Sequence, residues 1–186
     1  MTRIFLVGFM ASGKTTLGRA LARSLGLTFI DLDLYIEGRF HRTIAQLFDE
    51  RGESGFRELE RSMLHEVCEM ENVIIASGGG TPCFFDNMDY MNACGTCVWL
   101  KVSPEVIRTR LLINRQKRPL VSSMPEEELP GYIAAALARR EPFYSRAKFM
   151  FDGSMLEDRT QIGQSVDRFR KEVLGVCCRE TDAEGE

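Results

Sequence analysis

The segment Gly8-Phe9-Met10-Ala11-Ser12-Gly13-Lys14-Thr15 carries the spacing G-x-x-x-x-G-K-[ST] and stands between the apolar run Ile4-Phe5-Leu6-Val7 and the helix-periodic stretch Thr15-Thr16-Leu17-Gly18-Arg19-Ala20-Leu21. Few patterns restrict a fold so much, because the loop works only where a buried strand delivers the chain into a helix N-terminus. Glycines let the backbone curl into a nest whose N–H groups, with those of the helix, face an anion. Gly8, Ala11, Ser12, Gly13, Lys14, Thr15 and Thr16 are thus the candidate nucleotide-phosphate residues. Lys14 is placed to bridge the β- and γ-phosphates, and the Thr15 hydroxyl to ligate Mg²⁺. ATP and Mg²⁺ are the implied cofactors.

The rest of the chain repeats strand then helix. Apolar runs at 3–8, 28–32, 73–77, 96–102 and 148–152 are strand-length and mostly apolar throughout, as strands covered on both faces should be. Between them lie helix candidates at 14–25, 43–50, 54–70, 84–92, 104–114, 126–140 and 157–174. That order predicts an α/β fold, a five-stranded parallel sheet flanked by helices. Residues 33–61, more than one crossover needs, read as a small helical insertion. Residues 115–125, RQKRPLVSSMP, hold basic residues, two Pro and two Ser, and read as a loop within a mobile lid over 112–125. One domain is expected over 1–174, with core segments 1–32, 62–111 and 126–174; residues 175–186 read as an acidic tail.

Composition removes other classes. The 24 Lys and Arg against 27 Asp and Glu give a net charge of −3, without the broad basic surface of a nucleic-acid binder. No apolar run nears the roughly 20 residues that span a bilayer, and the glycines and Lys14 after the first run do not fit a signal peptide, so a cytoplasmic protein is expected. Neither nucleic acid nor membrane is an expected partner, and a monomer is expected. Cys94-Gly-Thr-Cys97 has no second CxxC and no nearby His, so reduced thiols packed as small hydrophobes are expected there. Of the basic residues 19 are Arg and five Lys, a skew toward the side chain that grips carboxylate and phosphate bidentately.

Other residues bear on what is done with the nucleotide. The base-reading N-K-x-D of GTPases is absent, and VIIAS leads into Gly78-Gly79-Gly80 where a motor ATPase wants Asp-Glu; a small kinase is the simplest fit, with a nucleotide-binding regulator as the other class. Asp31 and Asp33 follow the second strand, and strand alternation puts both carboxylates on one side of the sheet's C-terminal edge; alternatively one of the pair caps the helix that follows. Three consecutive glycines at 78–80 suggest close approach of a ligand or another backbone. Glu60, three residues after Arg57, can hold its guanidinium. Arg115, Lys117 and Arg118 make the lid positive, as charge neutralisation in phosphoryl transfer requires. Arg139 and Arg140 precede Pro142, where the helix is expected to end with an arginine facing the cleft.

Taken in order, GFMASGKTT (8–16), LGLTFIDLDLYIE (25–37), TIAQLFDERGESGFRELE (43–60), VIIASGGG (73–80), VWLKVSPE (98–105), KRPLV (117–121) and RREPFY (139–144) resemble the shikimate kinase family. The resemblance implies a P-loop kinase fold with 33–61 binding shikimate. It implies transfer of the ATP γ-phosphate to the 3-hydroxyl of shikimate, giving shikimate 3-phosphate and ADP on the way to chorismate and aromatic amino acids. By position, Asp33 resembles the catalytic base, with Lys14 and Arg118 as the other catalytic residues. Arg57 and Arg140 resemble the carboxylate clamp; Gly78, Gly79 and Gly80 the backbone contact; Phe48 and Phe56 the apolar walls. Thr15 and Asp31 match the Mg²⁺ positions, and Arg118 a phosphate contact. Adenine is expected near Asp152 and Gly153 and against either Arg110 or Arg115. Ala11 stands where the family usually has Gly, a replacement expected to be tolerated at negative φ.

Overall fold

The computed structural model describes residues 2–113, 119–122 and 124–175. Its elements run β1 (Arg3–Val7), α1 (Lys14–Leu25), β2 (Thr28–Asp31), α2 (Leu32–Phe40), α3 (Ile44–Cys68), β3 (Val73–Ala76), α4 (Asn87–Cys94), β4 (Thr96–Lys101), α5 (Pro104–Ile113), α6 (Pro119–Ser122), α7 (Leu129–Tyr144), β5 (Phe149–Asp152) and α8 (Arg159–Phe169). Five parallel strands form one sheet in the order β2-β3-β1-β4-β5. The first strand is therefore central, and the loop leaving it opens at the middle of the sheet's C-terminal edge, where open α/β sheets bind ligands.

Alternation along β1 divides the core. Phe5 and Val7 join the layer filled by Ile36, Leu47, Phe56, Leu64, Ile107, Ile133 and Tyr144, while Ile4 and Leu6 face Leu17, Leu21, Val166 and Phe169 of α1 and α8. Both faces are thus covered, which is why the run is apolar without interruption. Cys97 is wholly buried in β4, and burial pushes its thiol up to about 12, the behaviour of a packed small hydrophobe.

The expected break between 43–50 and 54–70 is present at Gly52, whose φ of 67° and ψ of 176° are non-helical and kink α3 into two helical segments. Other boundaries differ from the sequence reading. The stretch expected as helix 84–92 begins later, at Asn87, after a 3₁₀ turn at Thr81–Cys83. One helical turn, Pro119–Ser122, interrupts the expected 115–125 loop, and its Val121 is buried in the larger core layer. The helix expected to stop before Pro142 continues to Tyr144. A proline so near the last turn forfeits only one backbone hydrogen bond, so packing of the following turn outweighs it. The lid's Arg115, Lys117 and Arg118, and the tail from 176, lie outside the described residues. Among the described residues no helix is long and apolar enough to cross a membrane.

Candidate active site

The loop after β1 supplies a cradle for an anion. Gly8 and Gly13 have φ of 145° and 96°, which only glycine adopts without strain. Gly13 ends the loop at the α1 N-terminus, which has neither a side-chain cap nor an acid in its first turn, whereas α2, α3 and α8 are capped by Asp31, Thr43 and Asp158. The first-turn amides of α1 are thereby left for an external anion. Lys14 Nζ donates to the carbonyls of Gly8 and Phe9, both at 2.8 Å. Ala11 contradicts the expectation of negative φ: at +61° it is left-handed, a conformation costing a non-glycine residue about 1 kcal/mol. Ser12 is buried with its hydroxyl against Gly8.

Asp31 and Asp33 share a site by a different geometry from the expected strand alternation. Asp31 ends β2 and caps α2, accepting from the Leu34 amide at 3.4 Å, and Asp33 already lies in the first helical turn. The Thr15 hydroxyl donates to Asp31 at 2.8 Å. Both acids line a cavity of about 370 Å³ together with Lys14, Thr15, Thr16, Gly79 and Arg110. Burial raises the Asp33 carboxyl to about 6, helped by the negative charges of Asp31 and Glu60 and opposed by Lys14.

The glycine triplet is surrounded on all three residues. A β-carbon on Gly78 would lie 2.8 Å from Asp33 Oδ1 and 2.9 Å from Thr81 Oγ1; on Gly79, 3.2 Å from Arg140 Nη1; on Gly80, 2.9 Å from Arg57 Nη2. Gly78 and Gly80 therefore admit no side chain without moving a functional group, and Gly79 would press on Arg140. Arg57 Nη1 donates to Glu60 at 2.7 Å, and the other Glu60 oxygen accepts from Thr81 Oγ1 at 2.6 Å. The guanidinium lies 4.0 Å from the Phe84 ring centre, with the stacked Phe48 and Phe56 rings 5.4 and 5.3 Å away. Arg140 lies over Phe9 at 5.2 Å.

Of the two arginines considered for adenine, Arg110 lines the cavity. It donates to the carbonyls of Ala11, Gly153 and Ser154 and to Glu157. Asp152 does not line it; its carboxylate accepts from the Ser154 amide at 2.9 Å. Arg118 lies outside the described residues. Sequence reasoning missed Thr81 and Phe84, which follow the glycine triplet, and gave Tyr144 no role. Position next to Gly80 was the available signal for Thr81; Phe84 had none.

The family profile described as shikimate kinase matches residues 10–172. The chain belongs to the shikimate kinase family. It is thus an ATP-dependent small-molecule kinase with the nucleotide as a substrate. The kinase is 59% identical over 173 residues to a shikimate kinase of Phocaeicola vulgatus, covering 93% of this chain and 99% of that one. A crystal structure of shikimate kinase from Bacteroides thetaiotaomicron superposes with a TM-score of 0.90 at 55% identity, covering 91% of the kinase and 97% of that chain. The Acinetobacter baumannii shikimate kinase solved in complex with shikimate gives a TM-score of 0.81 at 28% identity over 94% of both chains.

Proposed function

We propose that the kinase transfers the γ-phosphoryl group of ATP to the 3-hydroxyl of shikimate. One observation carries the reading. The three α-carbons of Gly78-Gly79-Gly80 abut Asp33, Arg140 and Arg57 in turn, and Gly79 and Asp33 line the same cavity as Lys14 and Thr15. A carboxylate that can accept a hydroxyl proton and two guanidiniums suited to a carboxylate thus stand beside a phosphate cradle. That pairing fits a hydroxylated acid better than a nucleotide acceptor.

In this reading Arg57 and Arg140 bind the acceptor carboxylate, backbone amides of the triplet contact it, and Phe48 and Phe56 wall the carbocycle. Asp33 takes the hydroxyl proton as that oxygen bonds to the γ-phosphorus, and the bond to the β,γ-bridging oxygen breaks to release ADP. Lys14 stabilises charge on the phosphates, with Arg118 from the lid, and the loop from Gly8 to Thr16 holds the phosphate chain. Arg110 is the arginine assigned to adenine. Thr15 and Asp31 present adjacent hard oxygen atoms, the donor chemistry Mg²⁺ takes, and are the residues that would hold it. When bound, Mg²⁺ neutralises charge on the β- and γ-phosphates.

The test is ADP release by the purified protein with MgATP and a panel of acids. Shikimate-dependent turnover is expected. Turnover with gluconate or a nucleoside monophosphate and none with shikimate would overturn the assignment.

A further inference from the structure

We infer that Tyr144 is a positioning residue for the acceptor carboxylate, its hydroxyl holding in one arrangement the Gly79–Gly80 peptide against which the Arg140 and Arg57 guanidiniums lie. The inference rests on the proposed shikimate-binding role of Arg57, Arg140 and the glycine triplet.

Tyr144 closes α7 and is wholly buried, its ring tilted against Trp99 at 6.0 Å. Packing alone would be served equally by Phe. The hydroxyl instead donates to the Gly79 carbonyl at 2.5 Å, the partner a buried phenol requires. Tyr144 does not line the cavity beside Lys14 and Asp33, so it acts through what it holds.

What it holds is the peptide between two glycines. No side chain on either residue restrains that unit, and glycine permits rotations that other residues forbid. In a trans peptide the carbonyl and the following N–H point opposite ways, and among the described residues no peptide bond is cis. Fixing the Gly79 oxygen on Tyr144 therefore directs the Gly80 N–H away from α7. The same peptide lies between the two arginines, Arg140 against the Gly79 α-carbon and Arg57 against that of Gly80. A rotation of this one unit would disturb both guanidiniums and the backbone donor together.

The phenol also stands close to Arg140. Burial drives its pKa upward, while the positive charge of Arg140 acts in the opposite direction. Continuation of α7 through Pro142 is what makes this possible, since it sets Tyr144 one turn beyond Arg140, at the i+4 position that shares its face.

The experiment is Tyr144→Phe, which keeps the ring and removes one oxygen. The KM and Kd for shikimate should rise about tenfold, in line with a lost hydrogen bond that organises a charged contact. The kcat, the KM for ATP and the affinity for ADP should stay within about twofold of the parent. A merely structural role would lower the melting temperature and leave the ratio of the two KM values unchanged. In an Arg140→Ala background the same substitution should raise the shikimate KM by a smaller factor, because one of the two positioned groups is gone. An unaltered shikimate KM in Tyr144→Phe, an equal rise in the ATP KM, or the same factor with and without Arg140 would overturn the inference. Shikimate-dependent turnover of the unaltered kinase is measured first. Its absence overturns the functional reading and this inference with it, whereas a turning-over parent with an indifferent Tyr144→Phe overturns this inference alone.

Discussion

Removing Glu60 should unfold more of this protein than removing any exposed charge, and the geometry sets the size of the loss. Glu60 is 1% exposed and accepts two short bonds, from Arg57 at 2.7 Å and Thr81 at 2.6 Å. Each involves a charged group and contributes roughly 1.5–3 kcal/mol, so Glu60→Ala should cost about 3–6 kcal/mol. That range agrees with about 3–5 kcal/mol for breaking a buried ion pair by deleting one partner. Of its acidic partners among the described residues Arg57 would keep Glu53, at 3.8 Å and 68% exposed, a pair of negligible strength. For a domain of this size about 2–4 °C per kcal/mol applies, so the melting temperature should fall by roughly 6–24 °C.

Glu60→Gln is the informative companion. The amide keeps the volume, can accept from Arg57 and can donate to the Thr81 hydroxyl, so its loss should be a fraction of the alanine loss. Urea unfolding at pH 7 measures both, with an unchanged m-value as the condition for comparing them. Arg57→Ala and the Arg57→Ala/Glu60→Ala pair complete a double-mutant cycle in which the two residues should couple by at least about 2 kcal/mol. A fall of less than about 2 °C for Glu60→Ala, or additive effects in the cycle, would refute the view that Arg57 is held by this network.

Asp33→Asn should abolish turnover while making the protein free of nucleotide and divalent ions more stable at pH 8. The raised carboxyl holds its proton to about pH 6 in the folded state against 3.8 ordinarily, so wild-type stability falls as pH rises through that window, by at most about 3 kcal/mol at about 1.36 kcal/mol per pH unit. Thermal melts at pH 4 and pH 8 check the sign: the variant's advantage should appear only at pH 8. Ala11→Gly should not destabilise, because release of the left-handed φ of 61° offsets the roughly 0.4–1 kcal/mol of added unfolded-state entropy; a drop of 1 kcal/mol in urea unfolding would contradict it. Gly80→Ala should raise the KM for shikimate, since its β-carbon would lie 2.9 Å from Arg57 Nη2, whereas Gly78→Ala, at 2.8 Å from Asp33 Oδ1, should act chiefly on kcat; steady-state kinetics separates the two.

Five strands and their order of helices were legible because period and length are local properties: β1 is apolar throughout because both its faces are covered, and Gly52 kinks α3 in the gap between the two helices expected at 43–50 and 54–70. The phosphate cradle was legible for the same reason, its eight residues being contiguous. What escaped was anything decided by a partner distant in sequence. Pro142 favoured a helix end locally, yet Tyr144 on the next turn finds the Gly79 carbonyl 65 residues away. Asp31 and Asp33 were paired on strand alternation, yet Asp31 takes the cap of α2 and turns the chain into helix one residue earlier. Local rules brought both residues to one cavity, though by a different geometry from the one the structure shows.

The glycine triplet shows why such a site still leaves a trace. Its side-chain neighbours come from four separate segments: Asp33 from α2, Arg57 and Glu60 from α3, Thr81 from the turn that follows, and Arg140 from α7. None of them can be placed from spacing alone. Yet their joint requirement, that charged groups approach one backbone closely from several sides, leaves no room there for side chains. An absence of side chains at three consecutive positions is visible in sequence even when the groups that need the space are not. The triplet therefore marks where the acceptor side of the cavity is assembled, and Tyr144 supplies the restraint that those glycines cannot supply themselves.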